Sequence, residues 1–210
     1  MKRYDIADRV RAVLPVGEQG AKIFVVTHIN HSEAGGGDVP KSVRPKVLVG
    51  HRMPGDGWAR VFSVFGLILK LVINDLPSPG KGSDDPEYRV TAQQRNHRFF
   101  GTWDGLAGRI MAASQPLCTG GVVTAIAVSE STLRFVYWQN RRWGVKIGDA
   151  YEMGPCFRRD TIAWTRRRGK RGGDVQIGFV DGSWGTLLLP AATEFLAEFP
   201  GSLTADDPVP

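Results

Sequence analysis

From Val122 to Leu189 the chain repeats one arrangement: a short run of β-branched, aromatic and aliphatic residues, then a cluster of turn formers. "VVTAIAVSES" and "TLRFVYWQN" read as two strands joined by a tight Ser-Glu-Ser turn, with Leu133, Phe135 and Tyr137 alternating against Arg134, Val136 and Trp138. "NRRWG" is the next turn and "WGVKIGD" the next strand. "RDTIAWTRRR" and "DVQIGFV" flank a glycine-rich turn, with Ile162 and Trp164 on one face and Val175, Ile177 and Phe179 on another. Asp181–Gly182 is a strong hairpin signal and leads into "SWGTLLL". "PAATEFLAEF" then changes period: Pro190 suits a first helical turn, and Phe195, Leu196 and Phe199 form an apolar edge. Six short antiparallel strands and one closing helix leave few ways to bury both apolar faces. The fold class expected is mainly β (α+β).

The N-terminal part is less regular. Asp5–Leu14 predicts a short helix, with Asp5 as cap, Ile6, Val10, Val13 and Leu14 on one face, and Pro15 as its stop. "AKIFVVTHI" predicts a buried strand, "NHSEAGGGDVP" a loop, and "KVLVGHR" a second strand. Trp58–Asp75 is the most apolar stretch, but Arg60 and Lys70 inside it speak against a membrane span. As a helix it gathers Arg60, Ser63, Gly66, Lys70 and Asn74 on one stripe roughly 120° wide and is apolar elsewhere. It reads as a core helix or an interface helix, and Gly66 also permits two strands bent at that point. Leu76–Glu87 is a loop by its Pro, Gly and Asp content, and Trp103–Ser114 a short helix with Asp104 near its start. "PGSLTADDPVP" reads as a flexible tail.

The strand order resembles that of bacterial pleckstrin-homology-like (PH-like) domains over residues 122–199. "AIAVSESTLRFVYW" resembles their first hairpin, "QIGFVDGSWGTLLL" the late one, and "AATEFLAEF" the capping helix. "RAVLPVGEQ" is similar to the lead-in ahead of some bacterial proteins of this kind. The resemblance implies two nearly orthogonal sheets plugged at one end by the helix, and adaptor work on lipids, peptides or proteins. It carries no catalytic signature. The division expected is a lead-in at 1–20, an extension at 21–121 with the apolar segment 58–75, the β-domain at 122–200, and the tail at 201–210.

Charge is unevenly spread. The chain is +6 overall, but residues 141–172 hold ten Lys/Arg against Asp149, Glu152 and Asp160, a net +7 that leaves the remainder near neutral. Such a field draws anionic headgroups, nucleic acid or acidic proteins. Two turns carry it: Arg141 and Arg142 beside Trp143, and Arg166, Arg167, Arg168, Lys170 and Arg171. Arginine forks suit phosphate, and lysine adds a point charge. The plain alternative is a pair of solvated tips that protect sheet edges. If both turns follow even-numbered strands of one meander, they fall at the same end and form one patch. Trp138, Trp164 and Trp184 read as core or cross-strand partners, with Trp143 as the exposed exception.

Enzyme signatures are not found. Phosphate-binding loops, H-E-x-x-H and G-x-S-x-G are missing, and Ser183 in "DGSWG" belongs to a turn. His28-x-x-His31 has no companion ligand at metal spacing, and His51 and His97 lie elsewhere. Cys118 and Cys156 read as free thiols in a reducing cytosol, and "MKRYDIADRVRAVLP" lacks the apolar core of a secretory signal. No cofactor or metal is expected. The function expected is a non-catalytic, cytoplasmic adaptor that docks on an anionic surface, the inner membrane leaflet, through the basic turns. A protein partner would use the 58–75 segment. The alternatives are a nucleic-acid-binding module using the same patch, or a purely structural or interaction domain.

Overall fold

The structure, a computed structural model, describes residues 4–26, 39–51, 99–140, 147–168, 174–199, 201–204 and 207. The segment 58–75, the loop 76–87 and the glycine-rich stretch 31–38 lie outside them.

Helix α1 (Tyr4–Val13) opens the chain, one residue earlier than its expected cap, so Asp5 sits inside the first turn. A 3-10 turn, Val16–Glu18, follows Pro15. Strand β1 is Lys22–Val26, β2 is Phe99–Phe100, and helix α2 is Leu106–Ser114. The meander then runs through β3 (Gly121–Val128), β4 (Thr132–Asn140), β5 (Ile147–Arg158), β6 (Ile162–Arg167), β7 (Asp174–Phe179) and β8 (Trp184–Leu188). Helix α3 (Ala192–Leu196) and the two-residue strand β9 (Ser202–Leu203) end it.

The strands form two sheets, ordered β1-β3-β4-β5 and β2-β8-β7-β6-β9. All pairings are antiparallel except β6 with β9. This is a mixed α+β fold in which helices flank two sheets. Within the meander the chain passes from the first sheet to the second at the 3-10 turn Arg159–Thr161, between β5 and β6. Residues of the N-terminal part complete both sheets: β1 pairs β3 from Lys22↔Val128 to Val26↔Thr124, and β2 pairs β8.

The main core lies where the inner faces meet. Phe24, Ile126, Phe135, Tyr137 and Phe157 come from the first sheet, and Val175, Ile177, Phe179 and Leu187 from the second. Ile110 and Met111 of α2 and Phe195 of α3 close the gaps. Phe24 meets the Phe195 ring edge-on at 5.1 Å. A second cluster sits on the outer face of the first sheet, where Ile6 and Val10 of α1 and Leu14 just beyond it cover Ala125, Ala127, Val136 and Trp138. The alternation in β4 is therefore real, but both of its faces are buried.

Several expectations need correction. The described residues of "KVLVGHR", 46–51, form no strand: Lys46 makes one bridge to Leu117, and Leu48 (φ 53) with Gly50 (φ 82) turns the chain away. The apolar signal there came from Val47 and Leu48 entering the core. Strand β5 is twelve residues long and runs through Gly154-Pro155, well past the expected end. It is the edge of its sheet, where a missing N–H is tolerated. Gly154 is needed there because a Cβ would lie 2.7 Å from the Tyr137 ring and 2.8 Å from Phe135 Cβ. The tail is not loose over Ser202–Leu203, which pairs with Thr165 and Arg166. Helix α3 starts at Ala192, so Pro190 precedes its first turn.

Candidate functional site

Two places could carry function: the basic turns, and the corner where the sheets meet. The strands on either side position each basic turn. Asn140 pairs Ile147, so residues 141–146 join β4 to β5. Arg167 pairs Val175, and the Arg168 amide donates to the Asp174 carbonyl (2.9 Å), so residues 169–173 join β6 to β7. Both clusters are thus hairpin connections, but they belong to different sheets. The parity argument for one shared end assumes a single meander and does not carry across the β5–β6 corner. Arg141, Arg142, Trp143, Lys170 and Arg171 lie outside the described residues.

The strand arginines are engaged within the fold. Arg166 donates from Nε to Gln176 Oε1 (2.6 Å) and from Nη1 to the Asp207 carbonyl (2.6 Å), and its guanidinium lies 5.7 Å from the Trp164 ring. Burial lowers its pKa, while the nearby Asp207 acts in the opposite direction. Arg167 reaches Thr193 Oγ1 of α3 (2.6 Å). Trp138 and Trp164 are buried, and Trp138 donates to the Gly148 carbonyl (2.8 Å). Trp184 stacks on Phe100 at 6.4 Å.

The corner holds an open cleft of about 870 Å³. Its apolar lining is Ile162, Ala163, Trp164 and Phe199, and its polar lining includes Glu130, Thr132, Arg158, Arg159 and Asp160. Arg159 lies 5.0 Å from the Phe199 ring and donates to the Ser129 carbonyl (2.9 Å), while Arg158 pairs with Asp160. In the sequence its only trace is "RRD" at Arg158–Asp160, which by itself signals charge alone.

Two polar nodes stiffen the scaffold. Glu18 of the lead-in takes two bonds from Arg134 of β4 (2.6 and 2.9 Å) and one from Thr132 (3.2 Å). The bond from Arg134 holds the Glu18 carboxyl below the usual range. The second node explains "DGSW". Gly182 turns at φ 77, Asp181 Oδ2 accepts from the Leu106 amide (3.0 Å), and Ser183 Oγ accepts from the Ala107 amide (3.1 Å). Ser183 in turn donates to Asp181 Oδ1 (2.5 Å). The turn therefore caps α2, whose own N-cap residue is Gly105 and supplies no side chain. Asp104, expected at that end, is not the cap. Burial pushes the Asp181 carboxyl up, but the bonds from Ser183 and Leu106 outweigh it and leave it low. D181A is expected to cost about 1–2 kcal/mol, the usual worth of a helix cap, measured by urea unfolding.

Among the described residues no three His, Cys, Asp or Glu come together as metal ligands, and Cys118 and Cys156 are free thiols. His28, His31 and His97 lie outside the described residues; His51 is exposed. No described helix is long and apolar enough to cross a membrane. Comparison with known family models, curated proteins and solved structures finds no match.

Proposed function

We propose that this chain is a non-catalytic docking module that attaches reversibly to an anionic surface, the inner leaflet of a membrane. The observation that carries this reading is the segregation of charge. A net +7 falls within residues 141–172 of a chain that is otherwise near neutral, and both arginine clusters fall at hairpin connections. Because Arg166 and Arg167 have partners inside the fold, the anion contacts are assigned first to Lys170, Arg171, Arg141 and Arg142, with Trp143 at the interface. Arg168 lies next to this set at the end of β6. We read the two-sheet meander closed by α3 as PH-like, a scaffold that leaves hairpin tips free to vary. The cytoplasmic adaptor role follows from that reading, with a protein held on another face.

Burial of Trp138 and Trp164 weakens the competing nucleic-acid reading, which needs exposed aromatic platforms. Pelleting with phosphatidylcholine vesicles, with and without 30% phosphatidylserine, tests the proposal. Each basic residue at an anionic leaflet contributes about 1 kcal/mol, so the K170Q/R171Q variant is expected to bind roughly 30-fold more weakly. Absence of phosphatidylserine-dependent pelleting at low salt would sink the membrane reading. Steeply salt-dependent binding to single-stranded DNA instead would favour the nucleic-acid reading.

A further inference from the structure

Strand β6 is covered on its outer side by the chain's own C-terminal segment. Ser202 and Leu203 pair parallel with Thr165 and Arg166. Ser202 Oγ lies 3.1 Å from Thr165 Oγ1 and within bonding distance of the Leu196 and Phe199 carbonyls at the end of α3. Arg166 holds the Asp207 carbonyl, and Asp207 Oδ2 accepts from the Thr204 amide (2.6 Å). The segment is short, and it enters from α3 midway along the groove. Upstream of it lies the cleft, lined on this side by Ile162, Ala163, Trp164, Phe199 and Gly201. The tail therefore occupies the Thr165–Arg166 part of this track, and the cleft lies along its Ile162–Trp164 part.

We propose that this track is a docking groove for an extended acidic peptide segment of a partner protein, and that residues 201–207 are a built-in competitor for it. Three features select the occupant. The edge of β6 offers main-chain pairing, which an extended segment satisfies. The downstream end is basic, with Arg166, Arg167 and Arg168 in succession, and the tail docked there reaches Asp207, whose carbonyl Arg166 holds. The cleft gives a continuous peptide extra apolar contact that the tail, arriving from α3, cannot make. This last point decides whether displacement is feasible. A short tether gives the tail an effective concentration on the order of millimolar, so a competitor must win by contacts the tail lacks. The inference stands apart from the membrane reading, and vesicles do not enter its test.

The test uses the full chain and a fluorescent peptide of its own last eleven residues, PGSLTADDPVP, read by polarisation. S202P and L203P each remove a main-chain donor from β9 and release the tail. At least tenfold tighter peptide binding by either variant than by the unaltered chain is expected. The same variant is expected to lose at least tenfold with PGSLTAKKPVP. Faster amide exchange at Thr165 and Arg166 reports the release, and unchanged near-ultraviolet circular dichroism reports an intact core. Equal affinity of the unaltered chain and both variants would overturn the proposal, as would no binding to either variant up to 1 mM or indifference to the acidic pair.

Discussion

Gly108→Val is expected to destabilise the protein by about 3 kcal/mol, an overpacking cost at the upper end because the obstructing atoms are backbone. A Cβ on Gly108 would stand 2.3 Å from the Thr102 carbonyl oxygen and 2.5 Å from Trp103 Cα. Neither atom can step aside. Gly101 holds φ 126 with its Cα side pressed on Ser183, where a Cβ would come within 2.7 Å. Trp103 stacks on Phe99 at 4.5 Å, and Gly105 donates to the Thr102 carbonyl (3.1 Å). The alternative is for α2 to lift away, which would uncover Ile110 and Met111 and pull Leu106 and Ala107 off their caps. Helix propensity offers little relief, since valine improves on glycine by only a few tenths of a kcal/mol. For a chain of this size the loss corresponds to a fall in Tm of about 6–12 °C. A fall of less than 2 °C would show that the segment ahead of α2 yields.

The same region shows where the sequence was legible and where it was not. Strands β3, β4, β7 and β8 announced themselves because period-2 alternation and the Asp-Gly turn are local signals. The cap of α2 was invisible because Asp181 lies 75 residues from Leu106 in sequence. Trp138 was legible as a core or cross-strand partner, but the burial of Val136 was invisible for a similar reason: the docking of α1 covers that face. "KVLVGHR" misled because its apolar content reflects core contact made by an irregular turn. Strand β5 continues from the expected "WGVKIGD" through nine residues that carry no clean alternation and include Gly154 and Pro155, ordinary breakers that its edge position makes acceptable. The charge clusters were plain in the sequence, but the partners of Arg166 and Arg167 depend on β7, the tail and α3. The cleft depends on the corner between sheets, which no single segment encodes.

Glu18→Ala is expected to cost about 2–3 kcal/mol near neutral pH, because it leaves Arg134 half-buried without its counter-charge. The pair is bidentate and shielded, with side-chain exposures of 13% for Glu18 and 21% for Arg134. It also joins distant parts of the chain, binding the "LPVGE" lead-in to the β3–β4 hairpin. That hairpin is already organised, since Ser129 and Thr132 bond each other across the turn. The loss therefore falls on the docking of the lead-in and, through it, on α1 and the cluster around Val10 and Trp138. The pH dependence distinguishes this from a simple packing defect. The bond from Arg134 depresses the Glu18 pKa in the folded state. A depressed carboxyl contributes stability that is fully present above its unfolded value, about 4.3, and disappears as pH falls through the lower folded value. The gap between the unaltered chain and Glu18→Gln should accordingly be full at pH 7 and close in acid, when protonated Glu18 resembles the amide. A gap that persists unchanged at pH 3 would mean that shape rather than charge joins the lead-in to the sheet.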